Sequence, residues 1–319
     1  MLGLGGSLAG GTGIARQSGF SVLFDGDDQF IKTGGHASTK PTSALTVSAW
    51  VNMDIVAGGY GWPNPDGDSD NIQCIVGNIL AGGYALYIRY DGTATNPYTA
   101  IAADAKVTDN GSGSAGYLIA AHYSVVDNGH ESSAANAGTN TTTTDGPALN
   151  LGGVNWGGHT EGDYTLHDIR NLTGWQHVAM TWGAGVMKLY VNGVLKRTAD
   201  TGTSSGNNIV YQATDAREVM IGADLGSAPS TAADFLDGLI DDVAIWDAAI
   251  DADGIAKIYN NKPLGTVLTA ADGDYDNQGD LQGWWKLDEG TGTSVADSST
   301  NTNTGTLVNT PIWSTNTAG

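Results

Sequence analysis

Basic residues are scarce in this chain of 319 residues, which has 13 lysines and arginines, 34 aspartates and glutamates, and a formal net charge of −21. A strongly acidic surface repels phosphate backbones and anionic lipids, so we expect neither nucleic acid nor a membrane as a partner. High acidity also serves solubility alone, and both interpretations of the charge stay open at this point.

Cysteine is nearly absent as well. Cys74 is the only one, which excludes an intrachain disulfide and leaves the redox compartment open. It stands in the apolar run 72–76, where a buried, unreactive thiol is expected. The glycine-rich N-terminus lacks a basic start and a continuous apolar core, so we expect no cleaved signal and no membrane helix there.

Long amphipathic segments are also lacking. The 47 glycines and the short alternating segments, each bounded by turn residues, predict an all-β chain. In segment 45–52, apolar residues fill every second position, and Trp50 with three polar residues fills the others. This pattern predicts a sheet that is covered on one side only. Further strands are expected at 84–90, 117–123 and 177–182.

Three local signals place the remaining elements. Asn192-Gly193 predicts a two-residue type I′ hairpin turn, because both residues tolerate positive φ values. Residues 252–260 predict one short helix, with Asp251 as its N-cap and an apolar stripe on one face. Segment 132–146 has no hydrophobic period, and we expect a long surface loop there.

Several short pieces of the sequence form a recognisable series. They are Phe24-Asp-Gly26 with Phe30-Ile31, 45–51 (LTVSAWV), 174–182 (GWQHVAMTW), 189–194 (LYVNGV), Ile221-Gly222 and 235–246 (FLDGLIDDVAIW). Taken in order, these pieces resemble the laminin-G-like, concanavalin-A-like jelly-roll family. The resemblance implies an all-β jelly-roll sandwich of two stacked antiparallel sheets, with about a dozen strands, one short α-helix and long loops. The family includes binding modules, adhesion domains, enzyme accessory domains and virion proteins, so the fold does not fix a function.

The resemblance divides the chain into three parts. Residues 1–19 form a glycine-rich arm, residues 20–262 form the sandwich with a long insertion at about 91–170, and residues 263–319 form a strand-bearing tail. The tail segments 281–299 and 305–309 resemble the opening strands of such domains, although here they stand last. We therefore expect the tail to complete either its own sandwich or a neighbouring one.

The sequence predicts no catalytic residues. Relatives that cleave β-glucans carry closely spaced glutamates on one strand, because retaining hydrolysis needs two adjacent carboxylates. The four glutamates, Glu131, Glu161, Glu218 and Glu289, lie far apart in the sequence, and no Gly-x-Ser-x-Gly motif is present. His177 is expected to have a structural role. We therefore predict a protein that is not an enzyme, with a glycoside hydrolase as the least favoured alternative.

Structural calcium is the metal that the aspartates favour. Family members often hold calcium at the sandwich edge, and the matching positions are Asp25 or Asp27 together with Asp241. The alternative for Asp241 is neutralisation by backbone N–H donors. A second candidate places carboxylates at alternate positions, where they could converge on one hard cation or remain a solvated turn. Its residues are Asp66, Asp68 and Asp70.

Aromatic residues in glycine-rich segments suggest a glycan-binding surface. Flat rings stack on sugar faces, although the same residues could instead pack under loops or against a partner chain. The candidates are Tyr60, Trp62, Trp156 and Tyr164.

Three classes of function follow from the sequence. Chains with a similar tail resemble structural proteins of marine bacterial viruses, which implies a homo-oligomeric capsid decoration, tail or fibre protein located in the virion beside other virion proteins. Loop aromatics would add binding of host glycans. A cellular carbohydrate-binding or adhesion module, located outside the cell or on its surface, is the alternative.

Overall fold

A computed structural model describes residues 19–53, 72–78, 83–91, 116–124, 155–156, 159–160, 164–168, 174–184, 186–200, 209, 211, 218–225, 232–262 and 267–318. Two antiparallel sheets of eight strands each, sheet A and sheet B, dominate this part of the chain, which also includes one α-helix. The predicted fold class, an all-β sandwich with a short helix, is therefore confirmed. The arm 1–18 and the loop 132–146 lie outside the described residues.

Sheet A runs in the strand order β12-β11-β10-β3-β16-β1-β20, and β17 pairs with β16 beside this path. Its strands are β1 (Ser21–Asp25), β3 (Ala44–Asn52), β10 (Gln176–Gly183), β11 (Val186–Val191), β12 (Val194–Asp200), β16 (Asp237–Trp246), β17 (Leu281–Trp285) and β20 (Ile312–Ser314).

Sheet B runs in the order β18-β19-β2-β13-β4-β5-β6-β9. Its strands are β2 (Phe30–Lys32), β4 (Ile72–Gly77), β5 (Gly83–Asp91), β6 (Gly116–Ser124), β9 (Tyr164–Asp168), β13 (Met220–Ile221), β18 (Ser294–Val295) and β19 (Gly305–Val308). Two short hairpins, β7 (Asn155–Trp156) with β8 (His159–Thr160) and β14 (Asp224–Leu225) with β15 (Ala232–Ala233), stand apart. The predicted insertion at 91–170 thus supplies β6 and β9 to the main sheet.

The core lies between the two sheets. Alternate residues of β1, β3, β10, β11 and β16 meet those of β2, β4, β5 and β13 there, as the two-residue period of a strand requires. Cys74 is buried, as predicted, and burial raises the pKa of its thiol, which keeps it in the unreactive protonated form.

The expectation that β3 has an open face is wrong. Both faces of β3 are buried, from Leu45 to Val51. The outer face of sheet A is covered by helix α1 (Ala252–Asn261) and by the segment after it, which form a second core cluster with Ala179, Tyr190 and Trp246. Alternation alone cannot predict such a cover, because the covering helix follows about 200 residues later in the chain.

Helix α1 and the hairpin turn form as predicted. The Asp251 side chain accepts the Gly254 amide proton at 2.8 Å, which satisfies one of the unpaired donors of the first turn. Asn192 and Gly193 have φ values of 53° and 73° between β11 and β12. None of the helices among the described residues is long and apolar enough to span a membrane.

The strands of the tail lie in the sandwich of their own chain. β17 pairs with β16, β19 with β2, and β20 with β1. Trp285 and Leu287 enter the main core, while Trp284 faces the outer cluster. Asp297 holds the tail together because its carboxylate accepts the backbone N–H groups of Trp284 and Asn303, each at 2.8 Å.

Candidate functional site

The outer face of sheet A carries a row of one histidine, one tryptophan and one aspartate, because the residues pair across β10, β3 and β16. His177 lies opposite Trp50, and Trp50 lies opposite Asp241. The three side chains therefore share one face of adjacent strands. This row is the candidate site that the fold assembles from the described residues.

His177 is fully buried within this row. Its ring lies 5.3 Å from the Trp50 ring, and Tyr259 of α1 stacks on Trp50 at 5.4 Å. Neither imidazole nitrogen has a hydrogen-bond partner. Burial lowers the pKa of His177 to about 3, and the Lys262 ammonium acts in the same direction. The imidazole is therefore neutral at pH 7, which agrees with a structural role and disfavours a role as a general acid.

Asp241 and Asp242 share one buried cation at the end of α1. A β-bulge in β16 gives Asp242 a positive φ of 53°, so that both consecutive carboxylates reach the same ammonium group. Lys262 Nζ lies 3.2 Å from an oxygen of each carboxylate. Trp284 Nε1 donates to Asp242, and the Ala318 amide donates to Asp241 at 3.1 Å.

The charges of this cluster do not balance, because two carboxylates face one ammonium. Burial raises the pKa of Asp241, Asp242 adds to the rise, and Lys262 opposes it. Burial works against the charged form of Lys262, yet Asp242 and Asp241 together raise its pKa. We therefore expect a charged lysine with carboxylates that compete for it. Such a cluster ties α1, β16 and the tail together.

The structure does not bring the predicted calcium residues together. Asp25 lies opposite Asp237 in the register of β1 with β16, four residues before Asp241 and thus about 13 Å along the strand. Asp25 instead accepts the Asp27 amide in a local turn. Asp241 pairs with Lys262 and accepts the backbone amide of Ala318, so a lysine and a backbone donor act on it together. Calcium binding by Asp25 and Asp27 stays a prediction.

The second predicted calcium set, Asp66, Asp68 and Asp70, lies outside the described residues. Across the part of the chain that the structure does describe, no group of three or more His, Cys, Asp or Glu side chains could hold a metal ion.

The segments that contain the aromatic candidates attach to strands of sheet B at opposite ends of those strands. Segment 54–71, which contains Tyr60 and Trp62, enters β4 at Ile72. Tyr164 begins β9 at the other end, since it pairs with His122 near the end of β6. Trp156 lies in the β7–β8 hairpin between β6 and β9. The six residues of β4 span about 20 Å, so the connections attach far apart. Tyr60 and Trp62 themselves lie outside the described residues.

Both described glutamates have structural partners. Glu218 accepts the Gly34 amide at 2.8 Å, and Glu289 accepts the Ala296 amide at 2.8 Å. Neither lies in a described strand, whereas a retaining glycosidase would present paired carboxylates on one strand.

The sequence pointed to only part of the buried cluster. Asp241 stood out as a charge among hydrophobic residues that needs partners. Lys262 was missed because it follows 21 residues later, beyond α1, and no spacing rule links a strand bulge to a helix end. The one available signal was the consecutive pair Asp241-Asp242 in an apolar strand.

Residues 164–256 match the family model of the concanavalin A-like lectin/glucanases superfamily. This stretch runs from β9 into α1, and the match agrees with the resemblance stated from the sequence. No curated protein sequence matches the chain.

Several solved structures are similar to the chain at low identity. A provisionally assigned carbohydrate-binding protein of Bacteroides ovatus is 16% identical with a TM-score of 0.49, over 93% of this chain and 62% of that protein. The chain thus spans less than two thirds of that relative. The sialidase module CBM40 of Ruminococcus gnavus, bound to α2,3-sialyllactose, is 13% identical with a TM-score of 0.42, over 75% of this chain and 96% of the module. The heptameric pentraxin of Limulus polyphemus is 13% identical with a TM-score of 0.40, over 76% of this chain and 82% of the pentraxin.

Proposed function

We propose that the chain is a non-catalytic, lectin-like protein of a virion surface, present in several copies, that binds host glycans through the connections of sheet B. The observation that carries the glycan-binding part of the proposal is that α1 and the tail cover one outer face of the sandwich, that of sheet A. The centre of the outer face of sheet A is covered by α1 and the tail, and both Trp50 and His177 are buried there.

The connections of sheet B are where aromatic residues remain for a ligand. Segment 54–71 joins β3 to β4, segment 92–115 joins β5 to β6, and segment 125–154 joins β6 to β7. The first contains Trp62, and the last leads to Trp156. An aromatic ring that stacks on a sugar contributes dispersion and excludes water, and neighbouring Asn and Asp side chains can bind hydroxyls. We infer that one of the two ends of sheet B provides the glycan site.

The two ends can be separated by mutation. Trp62→Ala and Trp156→Ala belong to connections at opposite ends of the sheet, so each serves as the control for the other. We expect one variant to lose glycan binding at least 10-fold and the other to keep it. Loss in neither variant, with glycan binding retained, would contradict the stacking site. Equal loss in both, with unchanged melting, would contradict a site at a single end.

The absence of catalysis is part of the proposal. It is supported by the isolated positions of Glu218 and Glu289, each of which accepts a backbone amide. Purified protein should leave β-glucan oligomers intact. Hydrolysis that disappears when a pair of aspartates is changed to asparagine would overturn this part.

The virion role is supported by the resemblance of the tail to viral structural proteins. The protein should then occur at a stoichiometric copy number in purified particles of a virus that encodes it. A cellular carbohydrate-binding module is the second candidate, and the tail favours it, because β17, β19 and β20 complete the sandwich without a neighbour. Absence from particles, together with glycan binding by a stable monomer, would favour that candidate.

A further inference from the structure

Exposed hydrophobic residues concentrate near the two edges of sheet A, on β12 at one edge and on β20 and its neighbour β1 at the other. Five large hydrophobic side chains are exposed in the described part of the chain, and four of them lie at these edges. Leu23 and Ile312 face each other on β1 and β20, with Ile312 60% exposed. Val194 and Leu195 begin β12 at the opposite edge and are 55% and 43% exposed.

The β1–β20 edge is acidic. Leu239, Leu23 and Ile312 form one apolar row across β16, β1 and β20, and Asp25 follows two residues later on the same face of β1. Asp27 and Asp28 continue from Asp25 and are exposed. We name the set Leu23, Ile312, Asp25, Asp27 and Asp28 the acidic edge patch.

The β12 edge is basic, although the chain as a whole has a net charge of −21. Lys188 on β11 and Lys196 on β12 are both half-buried. Lys196 directly follows the exposed Leu195, and Lys188 stands two residues before Tyr190, which pairs with Leu195. A bulge between β11 and β12 disrupts the regular pairing beside Lys196. We name the set Lys188, Val194, Leu195 and Lys196 the basic edge patch.

We propose that the basic edge patch of one copy docks on the acidic edge patch of the next copy. Each patch combines two exposed apolar residues with charges of one sign, and the two patches are complementary in both respects. Copies with a net charge of −21 repel one another, so association requires such a local match of opposite charges. The contact joins different surfaces on the two copies, and a contact of that kind generates rings or filaments instead of symmetric dimers.

The proposal rests on the several-copy arrangement proposed above, but its test needs only purified full-length protein. Failure here would therefore leave glycan binding untouched. Sedimentation velocity on the wild-type protein should show self-association at about 0.15 M salt that weakens steeply toward 1 M, where the screening length falls from about 8 Å to 3 Å. A protein that stays monomeric across the accessible concentration range would overturn the proposal.

Charge reversal separates this head-to-tail contact from other arrangements. We expect Lys188→Glu with Lys196→Glu, and separately Asp27→Lys with Asp28→Lys, each to weaken association at least 10-fold. A mixture of the two variants should associate again, because each then offers a patch that matches the other. All four changes in one chain should also restore association.

Each remaining outcome argues against this contact. Association that survives either reversal shows that other surfaces are used, and a mixture that stays dissociated contradicts the pairing of these two patches. Association that a chelator abolishes would assign the acidic edge patch to calcium instead of to a second copy. Ile312→Ser tests the apolar part, and it should weaken association at least 5-fold without change in melting, since Ile312 is 60% exposed.

Discussion

The buried imidazole of His177 makes stability depend on pH in a direction that can be worked out. Its pKa is lowered from 6.5 to about 3 in the folded chain, first by burial and second by Lys262. Below pH 6.5 the unfolded chain therefore binds a proton that the folded chain does not. The stability that His177 contributes is thus complete above pH 6.5 and falls on acidification by about 1.4 kcal/mol per pH unit until about pH 3.

His177→Phe isolates this contribution. Phenylalanine keeps a ring beside the stacked Trp50 and Tyr259 and removes two buried nitrogens that lack partners. We expect the variant to be at least as stable as the wild type at pH 7. At pH 4 the free energy of unfolding of the variant should exceed that of the wild type by about 3 kcal/mol more than it does at pH 7.

Urea denaturation of both proteins at pH 7, 5.5 and 4 measures this difference. The comparison with the wild type is needed because Asp241, present in both proteins, changes stability with pH in the opposite direction to His177. Its raised pKa means that the stability it contributes is lost as the pH rises above the ordinary carboxyl value. A difference between the two proteins that is the same at all three pH values would refute the reasoning on His177.

The remaining predictions concern the buried cluster, the tail and calcium. Lys262→Met leaves two buried carboxylates without their cation and should lower the free energy of unfolding by about 3–5 kcal/mol. The control Lys257→Met, whose partner Asp272 is exposed, should leave stability nearly unchanged in the same denaturation experiment. Trp285→Ala should cost about 3–5 kcal/mol, because the ring is fully buried in the main core, and stability near the wild-type value would show that the tail is dispensable. If calcium binds Asp25 and Asp27, a chelator should lower the melting temperature of the wild type but not of Asp25→Asn with Asp27→Asn, and melting that a chelator leaves unchanged would count against that site.

Local signals predicted the elements of the fold well. Asn192-Gly193 predicted the hairpin turn and Asp251 predicted the N-terminus of α1, because in both cases the deciding interaction spans only a few residues. The tail was predicted to contain strands because segments 281–299 and 305–309 resemble the opening strands of such domains. The sequence could not decide whether they pair in the same chain, since pairing is a contact between segments almost 300 residues apart.

The candidate site was less predictable for the same reason. Periodicity in 45–52 predicted which residues of β3 share a face, but not that α1 would cover Trp50. The partner of Asp241 depends on a bulge that turns Asp242 to the same side, and on a lysine that follows a helix. Such sites form from long-range geometry, which the local sequence pattern does not encode.

The central claim, that this sandwich binds glycans without cleaving them, is tested most directly by incubating the purified protein on a glycan array, washing, and analysing the retained oligosaccharides by chromatography. The account predicts retention of a defined set of glycans, recovered intact, and loss of that retention in either Trp62→Ala or Trp156→Ala. No retention of any glycan, or recovery of cleaved products that depends on the protein, would contradict it.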